Sequence, residues 1–151
     1  MCEQKIRRHL LLPAAAVLLL SGCYNDVYEL PSDARELEQA TYVNENDPED
    51  TYCTILYGGR EFACYGTINN EFRHSDVLAC VGYSDGDTNE RICKLKATND
   101  YLMSKYVNGI MDQPIFYRAI DTMGKEIFTP PYIDSLDYDI WNGENSKEGD
   151  L

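Results

Sequence analysis

The sequence predicts an α+β or mainly β protein, a small disulfide-braced domain of antiparallel hairpins with one short helix. Three observations carry that expectation. Two pairs of alternating apolar segments flank turn-forming residues, one pair at Gly58-Gly59 and one around residues 84–90. Four cysteines, Cys53, Cys64, Cys80 and Cys93, lie within those segments. Within the hairpin-bearing region one stretch, residues 98–108, carries helical spacing.

In the first hairpin, residues 52–57 and 60–65 flank Gly58-Gly59, a good two-residue turn. That register sets Cys53 opposite Cys64 and Ile55 opposite Phe62, and alternation puts both pairs on one face. Counted from the turn, 53 and 64 fall at a hydrogen-bonded position, where wide Cα spacing works against a bridge. In the second hairpin, residues 76–83 and 91–97 surround a polar run. One register faces Cys80 with Cys93, Leu78 with Leu95 and Val81 with Ile92; a tight Asp85-Gly86 turn shifts it and separates the cysteines. The first register is preferred, giving disulfides Cys53–Cys64 and Cys80–Cys93 at roughly 2–3 kcal/mol each in the chain-entropy view. Zinc and redox uses are disfavoured, because spacings of 10, 15 and 12 intervening residues contain no CxxC pair.

After the hairpins, Thr98 or Asn99 can cap a helix to about Asn108, with Leu102, Met103, Tyr106 and Ile110 on its buried face and Gly109 at its C-cap. Residues 115–120 and 125–129 read as two further strands around Asp121-Thr122-Met123-Gly124, ended by Pro130-Pro131. The folded domain is therefore placed at 52–133. Residues 134–151 form an acidic C-terminal tail from which Ile140 and Trp141 can dock back.

The N-terminal segment reads differently. Lys5, Arg7 and Arg8 precede an eleven-residue apolar run from Leu10 to Leu20, too short to span a bilayer core. Leu20-Ser21-Gly22-Cys23 follows. This segment resembles the lipobox signal of bacterial lipoproteins, and the resemblance covers residues 1–23 only. It implies a signal peptide over residues 1–22, a diacylglycerol on the Cys23 sulfur, and an acyl chain such as palmitate on the new amino group. Membrane attachment then comes from buried acyl chains, about 0.8 kcal/mol per CH₂. Tyr24, where an aspartate would imply inner-membrane retention, implies the outer membrane, facing the periplasm or the cell surface. Residues 23–51 then read as the lipidated N-terminus and an acidic tether. Residues 24–51 hold nine acids against Arg35 alone, and as flexible chain would reach on the order of 30 Å.

Composition excludes some partners. With 26 acids against 13 bases and a net charge of −13, no basic face for nucleic acid is expected. Twelve tyrosines beside four phenylalanines and one tryptophan suit a shallow, half-wet core. Asp85-Gly86-Asp87-Thr88-Asn89-Glu90 resembles the opening of a calcium loop, but the sixth position lacks glycine and the twelfth is Lys96, so a solvated loop is the better account. His74, beside Arg73, Ser75 and Asp76, reads as a loop residue rather than a catalytic base. Tyr52, Tyr57, Tyr65 and Tyr83 could line a stacking face.

The expectation is thus a lipid-anchored, non-enzymatic lipoprotein of the cell envelope. It would bind or support another envelope component in secretion, pilus or outer-membrane assembly, with no catalytic residue, metal or cofactor. The alternatives are a small exported enzyme acting on cell-wall or glycan material through carboxylates, and a lipid-anchored inhibitor of a hydrolase.

Overall fold

The computed structural model describes residues 26–44, 47–108 and 113–142. Residues 1–25, among them Cys23 and the expected signal peptide, and residues 45–46, 109–112 and 143–151, among them Gly109 and Ile110, lie outside them. The fold is mostly β, a single curled mixed sheet. Its strands are β1 (Arg35–Glu36), β2 (Gln39–Asn44), β3 (Asp47–Tyr57), β4 (Arg60–Ile68), β5 (Val77–Ser84), β6 (Asp87–Leu95), β7 (Tyr101–Tyr106), β8 (Ile115–Ala119) and β9 (Ile133–Ser135), followed by the short helix α1 (Asp139–Asn142). They lie in the order β1-β5-β6-β7-β8-β4-β3-β2, with β9 on β4. Among the described residues only β1 and β5 pair in parallel.

The outermost strands of that order, β1 and β2, are separated in sequence by Leu37 and Glu38 alone. The Leu37 N–H donates to the Tyr83 carbonyl on β5, and the Leu56 N–H on β3 donates to the Glu38 carbonyl, both at 2.8 Å. One continuous segment thus changes partner midway and joins the two edges into a ring. Gly82 permits the seam: a Cβ there would lie 2.6 Å from the Arg35 carbonyl oxygen and 2.9 Å from the Leu37 side chain.

Each face of the ring has its own apolar cluster. Ile55, Phe62, Ile92, Leu102 and Ala119, with Leu37 and Val81 against them, draw on every strand position round the ring and fill its interior. The other cluster holds Val77, Cys80, Cys93, Leu95, Tyr101, Met103 and Phe116 on the outer face, covered by Tyr28, Tyr132 and Ile133. Tyr28 is held from three sides. His74 meets its ring edge-on at 5.0 Å, the Lys105 ammonium lies 5.2 Å from its centroid, and its carbonyl accepts from Arg91 at 3.4 Å.

Both hairpins form. Gly58 and Gly59 turn the first with φ of 60° and 77°, and Ile55 faces Phe62. The second brings Cys80 opposite Cys93, and they form a disulfide. The tight Asp85-Gly86 turn is also present, with φ of 53° and 66°. The two features coexist because the ladder slips between Tyr83 and Ser84, between Cys80 and Gly82, and between Val77 and Ala79. These bulges alter the flanking pairs: Leu95 faces Val77, not Leu78, and Ile92 faces Gly82, not Val81. Leu78 is turned outward, 50% exposed.

Four expectations need correction. Cys53 and Cys64 are free thiols, because the β3–β4 ladder ends at Thr54 and Ala63; Cys53 pairs instead with Thr41 and Cys64 with Tyr117. The stretch 98–108 contains β7 rather than a helix. Tyr101, Leu102, Met103 and Ser104 are all buried, since β7 lies between β6 and β8 with a cluster on either face. Thr98 caps a turn there, accepting from the Asp100 N–H at 3.0 Å. Residues 125–129 are not a strand: Arg118 takes up the Thr122 and Lys125 carbonyls at 2.9 and 3.1 Å, so this chain is tied to a side chain and not to a ladder.

The fourth correction concerns the boundaries. Residues 26–44 and 47–51 are part of the folded body and not a spacer. Where acids do fall in strands, at Glu36, Asp47, Glu49 and Asp50, they stand at exposed or half-exposed positions, while β1 pairs with β5, β2 pairs with β3 and Tyr28 enters the outer cluster. The tail likewise begins as strand β9, and Ile140 of α1 is buried.

Candidate functional site: a cleft at one end of the ring

Thr67 on β4, Ile115 on β8, Ser104 on β7 and Ile92 on β6 stand opposite one another in register across four strands. Ile92 belongs to the interior cluster, so the whole row faces inward. Two residues further along, Glu90 faces Tyr106. Here the apolar filling stops and the interior opens into a cleft of about 510 Å³, lined by Thr67, Glu90, Ser104, Tyr106, Gln113, Ile115 and Leu136.

Glu90 forms the polar floor and is only 8% exposed. Ser104 Oγ donates to its Oε1 at 2.7 Å, and the Tyr106 hydroxyl donates to its Oε2 at 3.2 Å. The Glu90 charge pushes the Tyr106 phenol above its ordinary value, with lesser contributions from burial, Asp87 and Asp85. Burial likewise pushes Tyr117 up, and Cys64 and Glu90 are the next contributors. Among the described residues the only ion pairs are those of Arg60 with Asp100 and Asp121, at 2.9 and 2.6 Å. Glu90 is therefore held by hydroxyls and not by a cation. The rim carries two apolar side chains, Ile115 38% and Leu136 45% exposed, beside the exposed Gln113. Convergent polar groups beneath an apolar mouth are the general form of a small-ligand site.

The carboxylates of the calcium-like loop diverge. Asp85 accepts from the Gln39 amide at 2.8 Å, Asp87 accepts from the Asn89 N–H at 2.8 Å, and Glu90 turns into the cleft. Among the described residues no group of three or more His, Cys, Asp or Glu is arranged to hold a metal. His74 is exposed in a 3-10 turn (His74–Asp76) against Tyr28. The four tyrosines do not share one face: Tyr57 packs on the interior cluster, Tyr65 stacks on Tyr101 at 5.3 Å outside it, and Tyr52 meets Tyr138 at 6.1 Å. Cys64 is half-buried, and that burial raises its thiol pKa, with a Tyr138 hydrogen bond acting the other way.

Sequence reasoning missed Glu90, Ser104 and Tyr106 as a group. A signal existed, since Glu90 is two residues from the inward Ile92 and shares its strand parity. It is hidden because Glu90 ends a polar run that reads as loop, and the helical spacing of residues 101–106 sets Ser104 and Tyr106 apart from it. No protein family matches this chain, and no curated protein or solved structure matches it either.

Proposed function

We propose that this chain is a lipid-anchored, non-enzymatic protein of the cell envelope that binds another envelope component through the cleft at Glu90. The observation that carries the reading is the short distance in sequence between the anchor motif and the folded body. The lipobox-like Leu20-Ser21-Gly22-Cys23 precedes Tyr28, already 5% exposed in the outer cluster, by only five residues. Five residues span at most about 17 Å. A lipidated Cys23 would hold the ring against the bilayer surface, within reach of membrane-bound partners and not on a long leash. Acyl chains on one cysteine account for attachment without a spanning helix, and among the described residues no helix is long and apolar enough to cross a membrane. The outer membrane is the proposed location, since Tyr24 stands where a retention aspartate would be.

The test has two arms in intact cells. Replacing Cys23 with serine should release the protein from the membrane fraction or stall its processing, and undiminished membrane retention would overturn the anchor. Crosslinking from Gln113 at the cleft rim should capture an envelope partner. Capture of nothing, together with cleavage of cell-wall glycan by the purified chain, would favour an enzyme instead.

A further inference from the structure

We infer that the Glu90 cleft takes an organic monocation, an ammonium or guanidinium group carried on an apolar stem. The inference deepens the reading of the cleft as a binding site and rests on it. A carboxylate removed from water is costly unless it is paired, and Glu90 is 92% buried by its 8% exposure. Its described partners are the two hydroxyls of Ser104 and Tyr106. An ionised carboxylate accepts about four hydrogen bonds. The two it receives leave room for a donor arriving from the cleft, and a charged donor adds the missing counter-charge.

The surroundings fit the same ligand. Thr67 and Gln113 add polar side chains able to accept, which suits the several N–H groups of an ammonium or guanidinium. Ile115 and Leu136, both exposed at the opening, supply apolar surface for methylenes, the arrangement by which a lysine-like stem lies on an apolar wall with its charge beyond. Asp85 and Asp87 add negative field near Tyr106, and the chain as a whole is at −13, so cations are drawn toward the mouth and anions are not. The stem can belong to a free amine or to a lysine or arginine side chain; the headgroup chemistry is the same.

The test titrates the intact chain with n-hexylammonium, its neutral counterpart hexanol, and a short peptide carrying one lysine, following Kd and the amide shifts of Glu90, Ser104 and Ile115. Hexylammonium should bind with shifts confined to the cleft, and Glu90→Gln should weaken it about tenfold or more, in line with a lost charge-assisted bond, while hexanol is unaffected. Equal binding of hexanol and hexylammonium, an unchanged Kd in Glu90→Gln, or no cleft shifts at millimolar probe would each overturn the inference. Peptide binding as tight as the free amine would assign the stem to a polypeptide; binding of the amine alone would assign it to a small molecule, and either supports the inference. Should Glu90→Gln fail to fold, the exposed rim variant Ile115→Ser serves: it should weaken hexylammonium severalfold and leave ethylammonium unchanged, and equal effects on both would overturn the stem. A captured envelope partner with no cation binding removes the cation and leaves the binding function standing.

Discussion

Trp141 donates its indole N–H to the backbone carbonyl of Cys64 across 2.7 Å. The bond fastens α1 to the outer side of β4, where Tyr65 meets the indole edge-on at 5.7 Å and the Arg118 guanidinium lies 5.1 Å from the ring. Trp141→Phe keeps one aromatic ring, removes the N–H donor with the other half of the indole, and should cost about 1–2 kcal/mol. Trp141→Ala also removes the stacking and the cation–π contact and should cost roughly 2–4 kcal/mol. Urea unfolding of both variants checks the order; equal losses would mean the ring kept by Phe contributes nothing.

The cysteines should divide two and two. Mass mapping of the unreduced chain is expected to find Cys80 joined to Cys93, and Cys53 and Cys64 alkylated. Under native conditions Cys53, which is exposed, should react first, with Cys64 lagging because burial holds its thiol protonated to higher pH. Replacing Cys80 and Cys93 together with alanine should cost about 3 kcal/mol. A bridge between Cys53 and Cys64 in the native protein would show that the ladder continues past Thr54.

Alkali should unfold the protein through its buried phenols. Burial raises Tyr101 and Tyr132 to about 12, and raises Tyr117 further in the same direction. A group whose folded pKa is raised favours folding in its protonated form. Its contribution is complete below the unfolded phenol value near 10 and is lost as pH climbs from there through about 12. Cys64 has the same sign, starting from its lower thiol value. Urea midpoints should therefore decline between about pH 9 and about pH 12, with tyrosinate absorbance rising late and in step with unfolding. A midpoint flat across that window would contradict the burial of these side chains.

Gly82→Ala should loosen the seam. The added methyl meets the Arg35 carbonyl and the Leu37 side chain, so either β1 moves off β5 or the strand strains, at about 1–3 kcal/mol. Amide exchange should report the cost at Leu37, whose N–H bonds to Tyr83. Faster exchange there, with Phe62 and Met103 unchanged, is the expected pattern.

The first hairpin is legible because its turn is local chemistry, Gly58-Gly59 taking the left-handed conformations such a turn requires; at the second, Asp85-Gly86 takes them too, but a fixed register sets that turn against the Cys80–Cys93 pairing. The sequence did not show the bulges in β5, which are decided by packing Val77 and Leu95 together and are invisible to any fixed register. Strand β7 was misread because an apolar run buried on two faces has no period of its own, so a chance helical match prevailed. Residues 35–44 read as spacer because Arg35, Glu36, Glu38, Gln39 and Thr41 fill most of their exposed positions, yet a strand can be held by its backbone with few apolar side chains. The candidate site fell between these errors. Glu90 lies where a misjudged loop meets a misjudged helix, and only the register across β6 and β7 brings Ser104 and Tyr106 to it.

The segment that closes the ring has a consequence for how copies of this protein meet. While it stays in place, neither β5 nor β3 offers a free row of backbone donors and acceptors along its seam side. Peeling it away would bare two pairing templates at once, the situation from which runaway self-association grows. The guard is built into the same stretch: Glu36 and Glu38 stand exposed upon it, so neighbouring molecules are repelled where an exchange of strands would begin.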